Sequence, residues 1–159
     1  MHMMVIDPEE LVEPFARAGA DNITFHIEAT EDPAKIIDLI RSCGCKVGIS
    51  VKPQTSLNEI FPLLDKIDIV LLMSVDPGFG GQGYLPGSNE RIAAIKKFLS
   101  DNCLERVLIE VDGGIKLHNA KEVLMAGADI LVAGSEVFGA PQPVKIIKDF
   151  YQLSNVISN

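Results

Sequence analysis

The chain has 159 residues, 47% of them hydrophobic, with 14 basic and 22 acidic side chains and a formal net charge of -8. Length and apolar content fit one domain, residues 1–159, with a real core, and exclude a disordered chain. The acidic balance excludes a nucleic-acid backbone as the main partner, and the longest apolar run, residues 67–73, is too short to span a bilayer.

The opening segment Met1-His2-Met3-Met4-Val5-Ile6 carries no secretory-signal pattern and reads as a short strand, more like the middle of a fold than its start. Asp7-Pro8-Glu9-Glu10 predicts a helix with Asp7 as N-cap, presenting Leu11, Val12, Phe15 and Ala18 on one face and stopping at Gly19. Residues 22–27 read as a strand holding His26. Asp32-Pro33 opens a helix bearing Ile36, Ile37, Leu39 and Ile40. Residues 46–51 are the next strand, and residues 56–64 the next helix, with Pro62 near its far end. The almost unbroken apolar run at 67–75 predicts a strand buried on both faces. A glycine-rich loop spans 76–87, followed by a helix over 88–99, a strand over 106–112, a helix over 116–125, a strand over 129–133 and a last helix from Pro141.

Cys43, Cys45 and Cys103 form neither a disulfide framework nor a zinc-ligand spacing, and point to a reducing cytoplasm. The Cys43-Gly44-Cys45 triplet reads as packed thiols at a helix-to-strand junction, and His118 as an exposed residue at a helix start. Ala18-Gly19-Ala20-Asp21 recurs as Ala126-Gly127-Ala128-Asp129, each joining a helix end to a strand. Six strands, each followed by a helix, predict a parallel sheet with right-handed crossovers, either doubly wound or part of a (β/α)8 barrel. No Gly-x-Gly-x-x-Gly opens the first helix, which favours the barrel.

Three strand ends carry chemistry. Val75-Asp76-Pro77-Gly78-Phe79-Gly80-Gly81-Gln82-Gly83 is dense enough in glycine for backbone amides to approach an anion, or for the loop to close as a lid. Asp112 ends a buried strand just before Gly113-Gly114, where a carboxylate serves as an acid/base group or as a helix cap. Val132-Ala133-Gly134-Ser135 ends the last strand. Gly113, Gly114, Gly134 and Ser135 fall where a barrel binds a phosphate after its final two strands. Backbone amides and helix dipoles let an acidic protein hold such a group.

These segments, with Met1-His2-Met3-Met4-Val5 and Phe25-His26-Ile27-Glu28-Ala29, resemble the ribulose-phosphate 3-epimerase family in order and spacing over essentially the whole chain. The resemblance implies a TIM barrel and epimerisation at C3 of a ketopentose phosphate, D-ribulose 5-phosphate to D-xylulose 5-phosphate, assisted by a divalent metal (zinc, iron, manganese or cobalt). It makes His2 a metal ligand at the substrate, and Asp112 both a metal ligand and a catalytic acid/base. Gly78, Phe79, Gly80 and Gly81 become the loop over the substrate. Gly113, Gly114, Gly134 and Ser135 hold its phosphate, while Met4 and Met73 line the site. His26 reads as packed and hydrogen-bonded rather than as a ligand.

Tyr84 stands where a Phe is usual. The family pattern also implies two further βα units upstream, carrying two more metal ligands and a second acid/base carboxylate. On that reading the chain covers the last six of eight units, leaves two sheet edges and has little epimerase activity alone. The full-length product would be an oligomer of identical chains. Two alternatives follow: a fragment acting as an interaction subunit, or a related enzyme such as an allulose 6-phosphate epimerase or hexulose-phosphate synthase.

Overall fold

The computed structural model describes residues 1–157, with side chains to 153. In chain order the elements are α1 (Glu9–Arg17), β1 (Asn22–His26), α2 (Pro33–Ser42), β2 (Lys46–Val51), β3 (Ile69–Met73), α3 (Ser88–Asp101), β4 (Leu108–Asp112), α4 (Leu117–Met125), β5 (Ile130–Val132), α5 (Gly134–Phe138) and α6 (Pro143–Ile157). Short 3₁₀ turns cover Ile27–Ala29, Leu57–Glu59 and Phe61–Lys66.

Local chemistry sets most boundaries. Asp32 accepts a hydrogen bond from the Lys35 backbone N–H at 3.1 Å, and Pro33 opens α2, whose Ile36, Ile37 and Ile40 are fully or almost fully buried. In α3 the stripe Ser88, Ile92, Ile95 and Leu99 faces the core at helical spacing. The aspartates leading into strands are pins. Asp68 accepts from the Val47 N–H and Asp129 from the Ile109 N–H, both at 2.8 Å, so each carboxylate fixes the start of the neighbouring strand.

The five strands are all parallel and lie in the order β1-β2-β3-β4-β5, each beside its predecessor in sequence. A doubly wound sheet reverses its strand order at a switch point. Here there is no reversal. Right-handed crossovers that always advance in one direction put every helix on one face, and the sheet then curls around the other, as in a barrel. Strand residues alternate accordingly. Ile23, Phe25, Val47, Ile49, Val51, Val70, Leu72, Ile109 and Val111 join the helices in the main core. The opposite face carries Thr24, His26, Ser50, Leu71, Met73, Glu110 and Asp112, and there Leu71 and Met73 form a small separate cluster with Val75. Gly48 is required on this face, because a Cβ there would lie 2.2 Å from the Thr24 hydroxyl.

Four expectations need correction. Residues 1–6 are not a strand but a single bridge from His2 to Thr24, made by Thr24 N–H to Met1 O at 2.8 Å and Met3 N–H to Thr24 O at 2.9 Å. Among the described residues the segment pairs on one side only, and it leaves that partner toward Pro8. The cap residue of α1 is Pro8 rather than Asp7, since the Leu11 N–H already bonds to the Pro8 carbonyl. Residues 56–64 are 3₁₀ turns, not an α-helix, because Pro62 has no N–H to continue an α ladder. The last helix starts at Pro143, and the separate α5 precedes it. The triplet at 43–45 falls where expected, with Cys43 half-buried, Cys45 buried, Cys103 exposed and all three thiols free. Among the described residues no helix is long and apolar enough to cross a membrane.

Candidate active site

The C-terminal ends of β3, β4 and β5 open onto one cleft of about 260 Å³. Met4, Met73, Gly78, Phe79, Gly80, Gly81, Asp112, Gly113, Gly114, Gly134 and Ser135 all line it. These residues come from separate parts of the chain, and the parallel register that pairs Met73 with Asp112 and Asp112 with Val132 brings them together. A wider cleft of about 830 Å³ adjoins it across Met4, Pro77 and Gly78 and runs to His26, Glu28 and Lys52.

Gly113 and Gly114 form the floor. Both have positive φ, and a Cβ on Gly113 would lie 2.5 Å from Val75, one on Gly114 2.3 Å from the Tyr84 backbone nitrogen. Only glycine lets the strand end and the loop lie this close. The buried Ser74 hydroxyl ties the two together, within 2.6 Å of the Gly113 carbonyl and 3.0 Å of the Asp112 carbonyl. Asn119 donates to the Gly114 carbonyl at 3.0 Å and accepts from the Lys116 N–H at 2.8 Å, which fixes the start of α4 against the floor.

The loop after β3 is closed on itself. The Gln82 side-chain amide donates to the carbonyls of Asp76 and Phe79, at 2.7 and 2.8 Å, and Gln54 donates to the Asp76 carboxylate at 2.9 Å. Phe79 stands out at its tip, 82% exposed. Gly134 and Ser135, at the start of α5, line the same cleft.

His2, expected at the substrate, is not among the residues that line either cleft; it lies beside Asp112, its Nδ1 3.9 Å from Asp112 Oδ2. Burial raises the Asp112 carboxyl above its ordinary range. Burial, the adjacent His26 ring and the N-terminal ammonium together hold the His2 imidazole down at about 4, so it is neutral at pH 7. His2 Nε2 lies 2.9 Å from His26 Nε2, with the rings stacked at 4.9 Å. His26 is 4% exposed, and its Nδ1 lies 3.4 Å from Glu28 Oε2, outside good hydrogen-bond alignment. The Glu28 side chain is tucked in, 19% exposed. Burial works to raise the Glu28 carboxyl, but the adjacent His26 imidazole 3.4 Å away, Thr55 and the Lys52 N–H outweigh it and hold it at about 2.

Among the described residues no three His, Cys, Asp or Glu side chains converge as a metal-ligand set. His2 and Asp112 form a pair. An imidazole nitrogen and a carboxylate oxygen are both donor types that divalent ions accept. The pair therefore suits a divalent ion as two of its ligands.

Sequence reasoning placed the glycines, Asp112 and the two methionines in one site and missed what holds them there. Ser74, Gln54, Gln82 and Asn119 act through contacts between distant segments. Only Gln82, inside the glycine-rich motif, carried a signal in the chain itself.

The sequence profile described as the ribulose-phosphate 3 epimerase family matches residues 1–138. Among relatives, the ribulose-phosphate 3-epimerase of Buchnera aphidicola subsp. Schizaphis graminum is 44% identical over 159 residues, covering 99% of this chain and 69% of that one. The ribulose-phosphate 3-epimerase of Escherichia coli K12 is 40% identical over 149 residues, covering 94% and 66%. The chain thus spans about two thirds of the length of these relatives. Among solved structures, KGPDC from Streptococcus mutans superposes with a TM-score of 0.67 at 17% identity, over 95% of this chain and 68% of that one. A 3-hexulose-6-phosphate synthase does so with a TM-score of 0.68 at 21% identity, over 91% and 67%. These two likenesses show the fold.

Proposed function

Because this chain belongs to the ribulose-phosphate 3-epimerase family, we propose that it acts on a phosphorylated ketopentose, moving the C3 proton that interconverts D-ribulose 5-phosphate and D-xylulose 5-phosphate. The observation that carries the reading is the cleft itself, with one carboxylate at its inner wall, a floor of two positive-φ glycines and a glycine-rich loop at its rim.

Asp112 is the proton carrier. Its carboxyl is raised by burial, toward the range where an acid/base group works at neutral pH. Gly113 and Gly114, with Gly134 and Ser135 of the same cleft, bind the phosphate through backbone N–H groups and the serine hydroxyl, which an acidic protein needs in place of basic side chains. Met4 and the buried Met73 supply apolar walls, and the Gly78–Phe79–Gly80–Gly81 loop covers the reacting carbons and excludes water. His2 and Asp112 are the residues that would hold a divalent ion, whose contribution when bound is to stabilise negative charge developing on the substrate's oxygens. Zinc, iron, manganese and cobalt all accept this His and carboxylate chemistry. The free thiols fit a cytoplasmic site of action.

The test is solvent exchange. The purified chain is incubated with D-ribulose 5-phosphate and Mn²⁺ in heavy water, and deuterium at C3 is followed by mass spectrometry. Exchange at C3 that is lost in Asp112→Asn is expected, and it registers proton removal even when return to the opposite face is slow. Exchange that persists unchanged in Asp112→Asn would overturn the assignment.

A further inference from the structure

Lys52-Pro53-Gln54-Thr55 forms a tight turn just after β2, closed by the Thr55 N–H on the Lys52 carbonyl at 3.2 Å, with Pro53 at the corner that suits its fixed φ. Side chains from two other segments hold its backbone. Glu28, just past β1, accepts from the Lys52 N–H through Oε1 at 2.8 Å. Arg91, on α3, brings Nη2 to 3.1 Å from the Lys52 carbonyl oxygen and 2.9 Å from that of Thr55, so the two hydrogens of one nitrogen serve both ends of the turn. Gln54, at the second corner, donates to Asp76 Oδ1 at 2.9 Å.

Asp76 opens the glycine-rich loop, and Arg91 lies in the first turn of the helix to which that loop returns. The series Asp76, Gln54, turn, Arg91 therefore joins the two ends of the loop through a third segment of the chain. The guanidinium is committed to this contact. Its Nε is buried and has no hydrogen-bond partner among the described residues, whereas an ordinary surface arginine keeps its charged head in water.

We propose that Arg91 is a positioning residue for the glycine-rich loop. It staples the 52–55 turn, the turn presents Gln54 to Asp76, and the loop is held at the cleft although Arg91 itself lines neither cleft. Its use rests on the reading of that loop as the cover over a sugar phosphate, while the staple is a property of the chain alone.

Phe79, 82% exposed at the tip, makes release of the loop measurable, because chymotrypsin cuts after such a residue only as far as the backbone around it opens. Phe138, 86% exposed in α5, serves as an internal reference for general loosening. Cleavage at the two sites is resolved by mass spectrometry for the wild type, Arg91→Met, Gln54→Met and the double variant. The apparent KM for D-ribulose 5-phosphate in C3 exchange is measured alongside. The ratio of Phe79 to Phe138 cleavage is expected to rise about tenfold in each single variant, as for loss of one charge-assisted hydrogen bond. It rises no further in the double variant, because a series broken at one link is not weakened by breaking another. KM rises with the ratio, and kcat changes less. Should Arg91→Met not fold, Arg91→Lys, which keeps the charge but not the planar fork, takes its place with a smaller rise at Phe79. A ratio unchanged in the Arg91 variant, increases that multiply in the double variant, or an unmoved KM would overturn the proposal. Ratios as stated with no C3 exchange by any of the chains would support the staple while overturning the reading of the cleft.

Discussion

Asp112 sits at the end of β4 with one oxygen 3.9 Å from His2 and, among the described residues, no cationic partner to hold it ionised. Burying a charge at such a point costs stability. Asp112→Asn is accordingly expected to lower C3 exchange by about a hundredfold or more while leaving the thermal midpoint level or slightly raised, which calorimetry would show. Glu28 has the opposite balance. Its carboxyl, ordinarily at 4.5, is held at about 2 in the folded chain, so the folded state binds its proton less readily than the unfolded state. The stabilisation is then complete above pH 4.5 and disappears as pH falls toward 2. Urea midpoints of wild type and Glu28→Gln should therefore differ most above pH 4.5 and converge toward pH 2. Gly114 offers a steric test. A methyl there would press on the Tyr84 backbone nitrogen at 2.3 Å, and backbone cannot swing aside like a side chain. Gly114→Ala should cost about 1–3 kcal/mol of stability and weaken inorganic phosphate binding in the same cleft.

At the level of elements, the loop after β3 is held by Gln82 more than by packing, since its tip residue Phe79 faces solvent. Removing the amide with Gln82→Ala should raise hydrogen exchange across residues 76–83 and raise KM, with little change at β3 or β4. The strands themselves were legible from their apolar periodicity, and the run at 67–75 proved buried on both faces, from Val70 to Val75. Elements failed to follow their local pattern where a tertiary or covalent fact overrode it. Pro62 turned an apolar helical pattern into 3₁₀ turns. Residues 1–6 meet β1 at Thr24 and then turn away from it, so their pattern does not continue as a strand. In the site, glycines and Asp112 were readable because each has a backbone or charge requirement of its own. Ser74 and Asn119 were not, because their role exists only once Asp112–Gly114 has been folded against them.

The whole molecule is a sheet with helices on one face and an inner face of mixed polarity, where burial and then Asp112 raise the Glu110 carboxyl. Its outer strand β5 is three residues long, and among the described residues no strand pairs with its far side. Unpaired parallel edges recruit other chains. Sedimentation velocity over a range of concentrations should show reversible self-association of the purified chain, whereas a sharp monomer at every concentration would mean that the edge is shielded.

The strand order has one more consequence, which concerns time. Asn22 meets Lys46, Gly48 meets Ile69, Ile69 meets Leu108 and Glu110 meets Ile130, so each strand docks on the one made just before it. Among the described strands no pairing waits for a distant segment, and this sheet can lengthen at one margin while the ribosome is still extending the polypeptide. Asp68 and Asp129 arrive immediately ahead of the strands they introduce and latch onto the strand already in place. Assembly can then follow the direction of synthesis, with the cleft at β3, β4 and β5 among the last parts to form.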